Sequence, residues 1–287
     1  NGVTQIREMI GEKDHLKWRE EIKQGAIGPD LFIASPRIGS FGFIEGFFMS
    51  WSQGFINITT AEDAIKQVKQ MHQLGYDGVK IYSQINKESY YAVTQTAQSL
   101  GMKVVGHIPW SVDINEIYPM QNEVAHLEEL MNALNREFGG FQAELGKSWD
   151  FSGFEAETAD EFLDFVALRG DEIAQQFANN DIAATTTLWL VESFVQQKLD
   201  FVKVLKQVEL EFENPGISEW SKTAGRGLGW LPEVNRYKWP EEWSELRKQN
   251  SKIYWQTYAK ACQSILKSLI KHEVKIVAGT DANLPPT

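Results

Sequence analysis

The chain has 287 residues, of which 43% are hydrophobic and 23% charged, and this composition suits one sizeable globular core without a long disordered tract. Its formal net charge of −11 argues against sequence-independent nucleic-acid binding and against an anionic membrane surface. The single cysteine, Cys262, excludes a disulfide within the chain and Cys-rich zinc modules, and it leaves the compartment open.

The first predicted elements are a strand over residues 3–9, a helix around 15–24 and a strand over 31–38. Residues 39–54 are rich in glycine and aromatic side chains, and we expect an irregular, mostly exposed loop there. A helix over residues 61–74 follows, because apolar side chains recur there at helical spacing between a threonine cap and a terminal glycine.

The middle of the chain alternates strands and helices. Strands are predicted over residues 78–82, 103–108 and 123–127, separated by a helix over 87–100 and a short helical connection. This alternation predicts βαβ units and a parallel sheet.

The later half of the sequence is less regular. Helices are predicted over residues 162–177 and 191–212, with a strand over 181–188 between them. Residues 213–242 are rich in glycine, proline and tryptophan, which indicates an insertion on one face. A helix over 241–272 and a last strand over 275–278 then bring the total to seven strands.

Four potential metal ligands lie at the ends of these strand-like segments: Lys80, His107, His126 and Asp281. The carboxyl ends of parallel barrel strands share one rim, so we expect the four side chains to converge there. Imidazole and carboxylate are ordinary zinc ligands, and a catalytic zinc site keeps a position open for water. A hydrolytic metal site is therefore the leading hypothesis.

Five segments, GVTQIRE, GVKIY, VVGHIP, VAHLEE and VAGTDA, together resemble the amidohydrolase superfamily, especially its imidazolonepropionase-like and prolidase-like branch. The resemblance runs from about residue 2 to about residue 284 and is weakest between about 135 and 245. It implies an α/β fold, the TIM-type (β/α)8 barrel of metal-dependent hydrolases. It also implies one or two divalent metal ions at the barrel mouth, usually zinc, with manganese or another divalent metal as an alternative.

The resemblance also assigns roles position by position. It implies that Lys80 is carboxylated and bridges two metals, and that His107 and His126 are metal ligands. Asp281 is the implied ligand that also takes a proton from the attacking water, and Tyr82 is a candidate substrate contact. The implied reaction cleaves a C–N bond in an amide, cyclic amide or dipeptide-like substrate by metal-activated hydroxide. A small-molecule substrate is the expected partner, and a homo-oligomer is left open.

One feature of the family is missing, since no His-x-His pair occurs among the five histidines. We therefore expect residues 1–287 to be a single, incomplete barrel domain that lacks the first strand. This domain would carry a helical, Trp-rich insertion at about 135–245, and the flanking small β domain would lie outside the chain.

Other interpretations stay open at this level. The chain could be a non-catalytic barrel that acts as a binding or oligomerisation domain. A barrel glycosidase would use Glu128 or Glu129 with Asp281 as paired carboxylates. Lys80 could simply point to solvent from its strand end. The many tryptophans of the later half could pack a core or form an aromatic wall over the site.

Overall fold

The structure, a computed structural model, describes residues 2–139, 156–193, 195–196 and 244–279. The chain divides into two compact units. Unit 1 comprises Asn1–Ala125 with Gln176–Ala184, and unit 2 comprises His126–Gln175 with Thr185–Thr287. Much of the predicted insertion, including most of its tryptophans, lies outside the described residues.

Unit 1 begins with the strand, helix and strand that the sequence predicts. They are β1 (Gln5–Glu8), α1 (Lys13–Lys23) and β2 (Asp30–Gly39), and β1 pairs with β2 in parallel. Arg7 of β1 forms an ion pair with Glu123, which is only 1% exposed. A buried carboxylate is costly without a partner, so this pair offsets part of its desolvation.

The prediction of an irregular loop over residues 39–54 was wrong. A helix, α2 (Phe43–Gln53), occupies most of this segment, and a short strand, β3 (Ile56–Asn57), follows it. Gly46 does not break the helix. It allows α2 to approach β3 closely, because a Cβ at residue 46 would lie 2.0 Å from Asn57 Nδ2. Phe43, Ile44, Phe47, Phe48 and Trp51 recur at helical spacing, but all five are exposed instead of lining a core. The glycine and aromatic content of the segment outweighed this spacing in the prediction.

The next three elements match their predictions closely. They are α3 (Ala61–Leu74), β4 (Gly78–Ile81) and α4 (Lys87–Ser99). The Thr60 hydroxyl accepts a first-turn N–H at 3.1 Å, and Gly75 ends the helix with a φ of 91°. All four residues of β4 are buried, as expected for a parallel strand covered on both faces.

Three further elements complete the segment of unit 1 that ends at Ala125: β5 (Lys103–Gly106), α5 (Ile114–Ile117) and β6 (Glu123–Ala125). The strands β2, β4, β5 and β6 pair in parallel in that order, with β3 beside β2. Their carboxyl ends therefore lie along one edge of the sheet.

The later elements are α6 (Leu127–Phe138), α7 (Ala156–Asn179), β7 (Ala183–Thr185), α8 (Glu245–Lys271) and β8 (Ile276–Val277). The sequence predicted all of them except α6. The strand order continues from β6 to β7 to β8, and the boundary between the two units falls inside β7.

Seven strands in chain order, alternating with helices, are the parallel α/β arrangement of a TIM-type barrel, and β3 is an addition beside β2. The fold-class prediction is confirmed: within the described residues the barrel is incomplete, with seven of its strands. No helix in the described ranges combines the length and apolar character needed to cross a membrane.

Candidate functional site

Lys80 lies within β4, and its residue is only 3% exposed. Its backbone N–H donates to Ser35 Oγ at 3.0 Å, and its register partner on β2 is Arg37. The lysine side chain passes directly over Gly106 of β5, where a Cβ would lie 3.0 Å from Lys80 Cδ. The alternative in which Lys80 points to solvent is therefore wrong.

His107 follows β5 directly and is held at three points. Its backbone N–H donates to the Ile81 carbonyl at 3.0 Å, and its own carbonyl accepts from Gln121 Nε2 at 2.9 Å. Its ring nitrogen Nδ1 lies 2.8 Å from the hydroxyl of Ser83, which is also buried. Backbone and imidazole are thus both fixed at the carboxyl end of β5.

Tyr82, the predicted substrate contact, packs against His107 with ring centroids 4.2 Å apart. Its other side meets Phe55 edge-on at 4.9 Å, and the Arg37 guanidinium lies 4.5 Å from the centre of the Phe55 ring. Arg37 also donates to the carbonyl of Gln53 at the end of α2. A continuous row of rings therefore links the end of β2 to the end of β5.

His126 follows β6 in unit 2, where it is the N-cap residue of α6 with a φ of 73°. Its backbone N–H donates to the Thr185 carbonyl at 2.7 Å, and its Nδ1 lies 3.1 Å from Thr187 Oγ1. Thr187 also has a positive φ, 40°, although β-branched residues rarely adopt that conformation. Strained backbone of this kind persists only where its surroundings fix it, and it clusters at functional sites.

Two buried groups of α8, Tyr258 and Cys262, interact electrostatically with Glu128 in the first turn of α6. Burial raises the pKa of the Tyr258 phenol well above its ordinary value, and the neighbouring Cys262 and Glu128 act in the same direction. Burial, followed by the charge of Glu128, raises the pKa of the Cys262 thiol in the same way. Both groups are therefore neutral at physiological pH and do not compete as nucleophiles.

The other three histidines lie in helices or directly after one. His15 accepts the Glu12 N–H at 3.0 Å in the capping box of α1, and His72 is exposed on α3. His272 lies 3.0 Å from Asp171, next to the end of α8.

Asp281, the fourth predicted ligand, lies outside the described residues. Among the residues that the structure describes, no group of three or more His, Cys, Asp or Glu side chains is arranged to hold a metal. The ends of β4 and β5 carry a buried lysine and an oriented imidazole; imidazole is an ordinary ligand of a divalent cation, whereas an ammonium group is not.

Four residues around these sites were missed by sequence reasoning: Arg37, Phe55, Ser83 and Thr187. They contact the predicted residues through tertiary structure, and their spacing in the sequence carries no pattern. A weak signal existed for Thr187, since it lies in the predicted strand over residues 181–188 at the carboxyl end.

No family model matches the chain, and no curated protein matches it. Solved structures do. A bottromycin amidohydrolase aligns with a TM-score of 0.60 at 17% identity, covering 99% of this chain and 54% of that one. A second structure, described as an amidohydrolase, aligns with a TM-score of 0.50 at 13% identity, covering 98% of this chain and 55% of that one. A Xaa-Pro dipeptidase with methionine bound in its active site aligns with a TM-score of 0.48 at 14% identity, covering 98% of this chain and 55% of that one. The chain spans about half the length of these structures.

Proposed function

From the amidohydrolase-superfamily fold that this chain has, we propose that it is the barrel part of a metal-dependent hydrolase acting on C–N bonds. The substrate class is an amide, a cyclic amide or a dipeptide-like molecule. The observation that carries the proposal is a buried lysine on β4 beside an imidazole fixed at the end of β5.

The burial of Lys80 supports a carboxylated side chain. The residue is 3% exposed, and removing an ammonium group from water has a cost in free energy. After the ammonium group loses a proton, the neutral amine can attack carbon dioxide to form a C–N bond, and loss of a second proton leaves a carbamate anion. A carbamate presents carboxylate-type oxygens, which are ordinary ligands of a divalent metal such as zinc.

The proposed ligands are Lys80 and His107, with His126 and Asp281 retained from the sequence resemblance. When bound, a divalent cation such as zinc supplies polarisation of the scissile carbonyl and acidification of the attacking water. The residues of the chain do the rest. His107 is oriented by Ser83, Asp281 accepts and passes on the proton, and Tyr82 offers an aromatic face and a hydroxyl to the substrate.

Metal content and turnover test this proposal directly. The protein expressed from its complete coding sequence is analysed for bound metal, then assayed with added zinc or manganese against N-acyl amino acids, lactams and proline dipeptides. We expect bound metal, turnover that a chelator abolishes, and loss of both in His107→Asn. His72→Asn, an exposed histidine on α3, is the matched control and should behave like the parent protein.

The other two functions give different results in the same experiment. Protein that holds no metal and turns over no substrate, with the fold intact, points to a binding or oligomerisation domain. Glycoside cleavage that a chelator leaves unchanged points to the glycosidase. Either result would contradict the proposal.

A further inference from the structure

A short chain of hydrogen bonds in unit 2 ends on one of the proposed ligands. The Thr187 hydroxyl donates to Glu128 Oε2 at 3.3 Å. The hydroxyl oxygen of Thr187, Oγ1, also lies 3.1 Å from His126 Nδ1. Thr187 is 2% exposed, so water has little access to its hydroxyl. The order along the chain of bonds is therefore carboxylate, hydroxyl, imidazole.

The single hydroxyl proton decides the state of the imidazole. An ionised carboxylate only accepts hydrogen bonds, so the Thr187 proton is directed to Glu128. The Thr187 oxygen can then act only as an acceptor towards His126, and the proton between them must belong to Nδ1. In the neutral ring the lone pair is consequently on Nε2, the nitrogen that a metal can take.

The backbone holds the two partners in register. Leu127 donates its N–H to the Thr186 carbonyl at 3.2 Å, next to the bond from His126 to Thr185. His126 and Thr187 both have positive φ, and the His126 ring nitrogen Nδ1 lies 3.1 Å from the Thr187 hydroxyl. The Thr187 carbonyl accepts the Leu190 N–H at 3.0 Å. A residue with only this backbone role would not require a side-chain hydroxyl.

We propose that Thr187 is a positioning residue for His126: its hydroxyl, anchored by Glu128, holds the imidazole as the Nδ1–H tautomer with Nε2 presented for a divalent metal. The inference rests on the proposed function only in the identity of that ligand. The tautomer itself is a property of the metal-free protein.

Two measurements test the inference. Long-range ¹H–¹⁵N spectra of the metal-free protein, with His126 identified by comparison with His126→Gln, give the tautomer. Competition with a chelating dye gives the Zn²⁺ affinity of the parent, Thr187→Val, Thr187→Ser and the matched control Thr186→Val. Thr187→Val keeps the branched shape without the hydroxyl, and Thr187→Ser keeps the hydroxyl.

We expect the Nδ1–H tautomer in the parent and its loss in Thr187→Val. We also expect Zn²⁺ to bind Thr187→Val about 10- to 100-fold more weakly, the usual effect of removing a group that orients a ligand. Thr187→Ser should restore both values, and Thr186→Val should match the parent. Because the tautomer of the parent is determined without Thr187→Val, poor folding of that variant would not prevent a decision.

Failure of the positioning role of Thr187 can be distinguished from failure of the ligand role of His126. An Nε2–H tautomer in the metal-free parent overturns the positioning role, as does unchanged Zn²⁺ affinity in Thr187→Val when His126→Gln binds more weakly. If His126→Gln binds Zn²⁺ as tightly as the parent, His126 is not a ligand, and the metal part of the proposed function fails with it.

Discussion

At the scale of single residues, the hydroxyl of Ser83 has the clearest task. It is buried and lies 2.8 Å from Nδ1 of His107, which is buried as well. A buried polar atom that loses its partner keeps the full cost of its desolvation. The contact between Ser83 and His107 therefore contributes to the stability of the carboxyl end of β5.

Ser83→Ala should lower the free energy of unfolding by about 1–3 kcal/mol, because the buried His107 ring loses the hydroxyl that lies 2.8 Å from its Nδ1. Urea unfolding followed by circular dichroism measures the change. Ser99→Ala removes an exposed hydroxyl from the end of α4 and should have a much smaller effect. Equal midpoints for the two variants would contradict the assigned role of Ser83.

At the scale of elements, β4 and β5 approach each other closely at one glycine. Gly106 has a φ of 124°, and a Cβ there would lie 2.2 Å from the Ile81 carbonyl oxygen and 3.0 Å from Lys80 Cδ. The backbone oxygen cannot move without breaking the strand pairing. The path of the Lys80 side chain therefore depends on the absence of a side chain on the neighbouring strand.

Gly106→Ala should destabilise the protein by roughly 3 kcal/mol or more, because steric overlap adds to a backbone strain of about 1–3 kcal/mol. Gly101→Ala is the matched control, since Gly101 has a φ of 71° and open space around the position of a Cβ. It should carry the backbone strain alone. Denaturant unfolding of both variants measures the difference, and equal losses would rule out the close approach described here.

The helices α4 and α5 are joined through a single carboxylate. The side chain of Lys87 pairs with Glu116 at 2.7 Å, Tyr91 donates to the same group, and the Asp113 N–H donates to it at 2.8 Å. These hydrogen bonds, with that from Lys87 the strongest, lower the pKa of Glu116 to about 2. The carboxylate form is thus favoured by folding.

Glu116→Gln should therefore be less stable than the parent at neutral pH, and the gap should close on acidification. A lowered carboxyl pKa contributes stability above the unfolded pKa of about 4.3, and this contribution is lost as the pH falls towards the folded value of about 2. Urea midpoints measured between pH 7 and pH 2 check this. A gap that stayed constant with pH would show that the charge of Glu116 does not matter.

At the scale of the whole molecule, metal binding and folding should be linked. A ligand that binds only the folded state stabilises it by about 2.7 kcal/mol at a concentration 100 times its dissociation constant. We therefore expect Zn²⁺ to raise the unfolding midpoint of the metal-free parent. His107→Asn should lose most of this gain and His72→Asn should keep it; an equal gain in both variants would place the zinc elsewhere.

The sequence alone determined the elements whose causes are local. Apolar spacing, a threonine cap and a terminal glycine fix α3 within the chain itself, and β-branched runs fix β4 and β5. The motifs at the strand ends determined the fold class and the candidate residues Lys80 and His107, because each strand end carries its own chemical signature.

Only the tertiary structure decided what depends on contacts between distant residues. It left the apolar face of the helix over residues 43–53 exposed, whereas apolar residues at helical spacing normally predict a face packed on a core. It also buried Lys80 over Gly106 and placed Ser83 and Thr187 on the two histidines. Hydroxyl groups are common in every sequence, and the position that brings one within 3.1 Å of an imidazole is set by strand pairing, not by spacing along the chain.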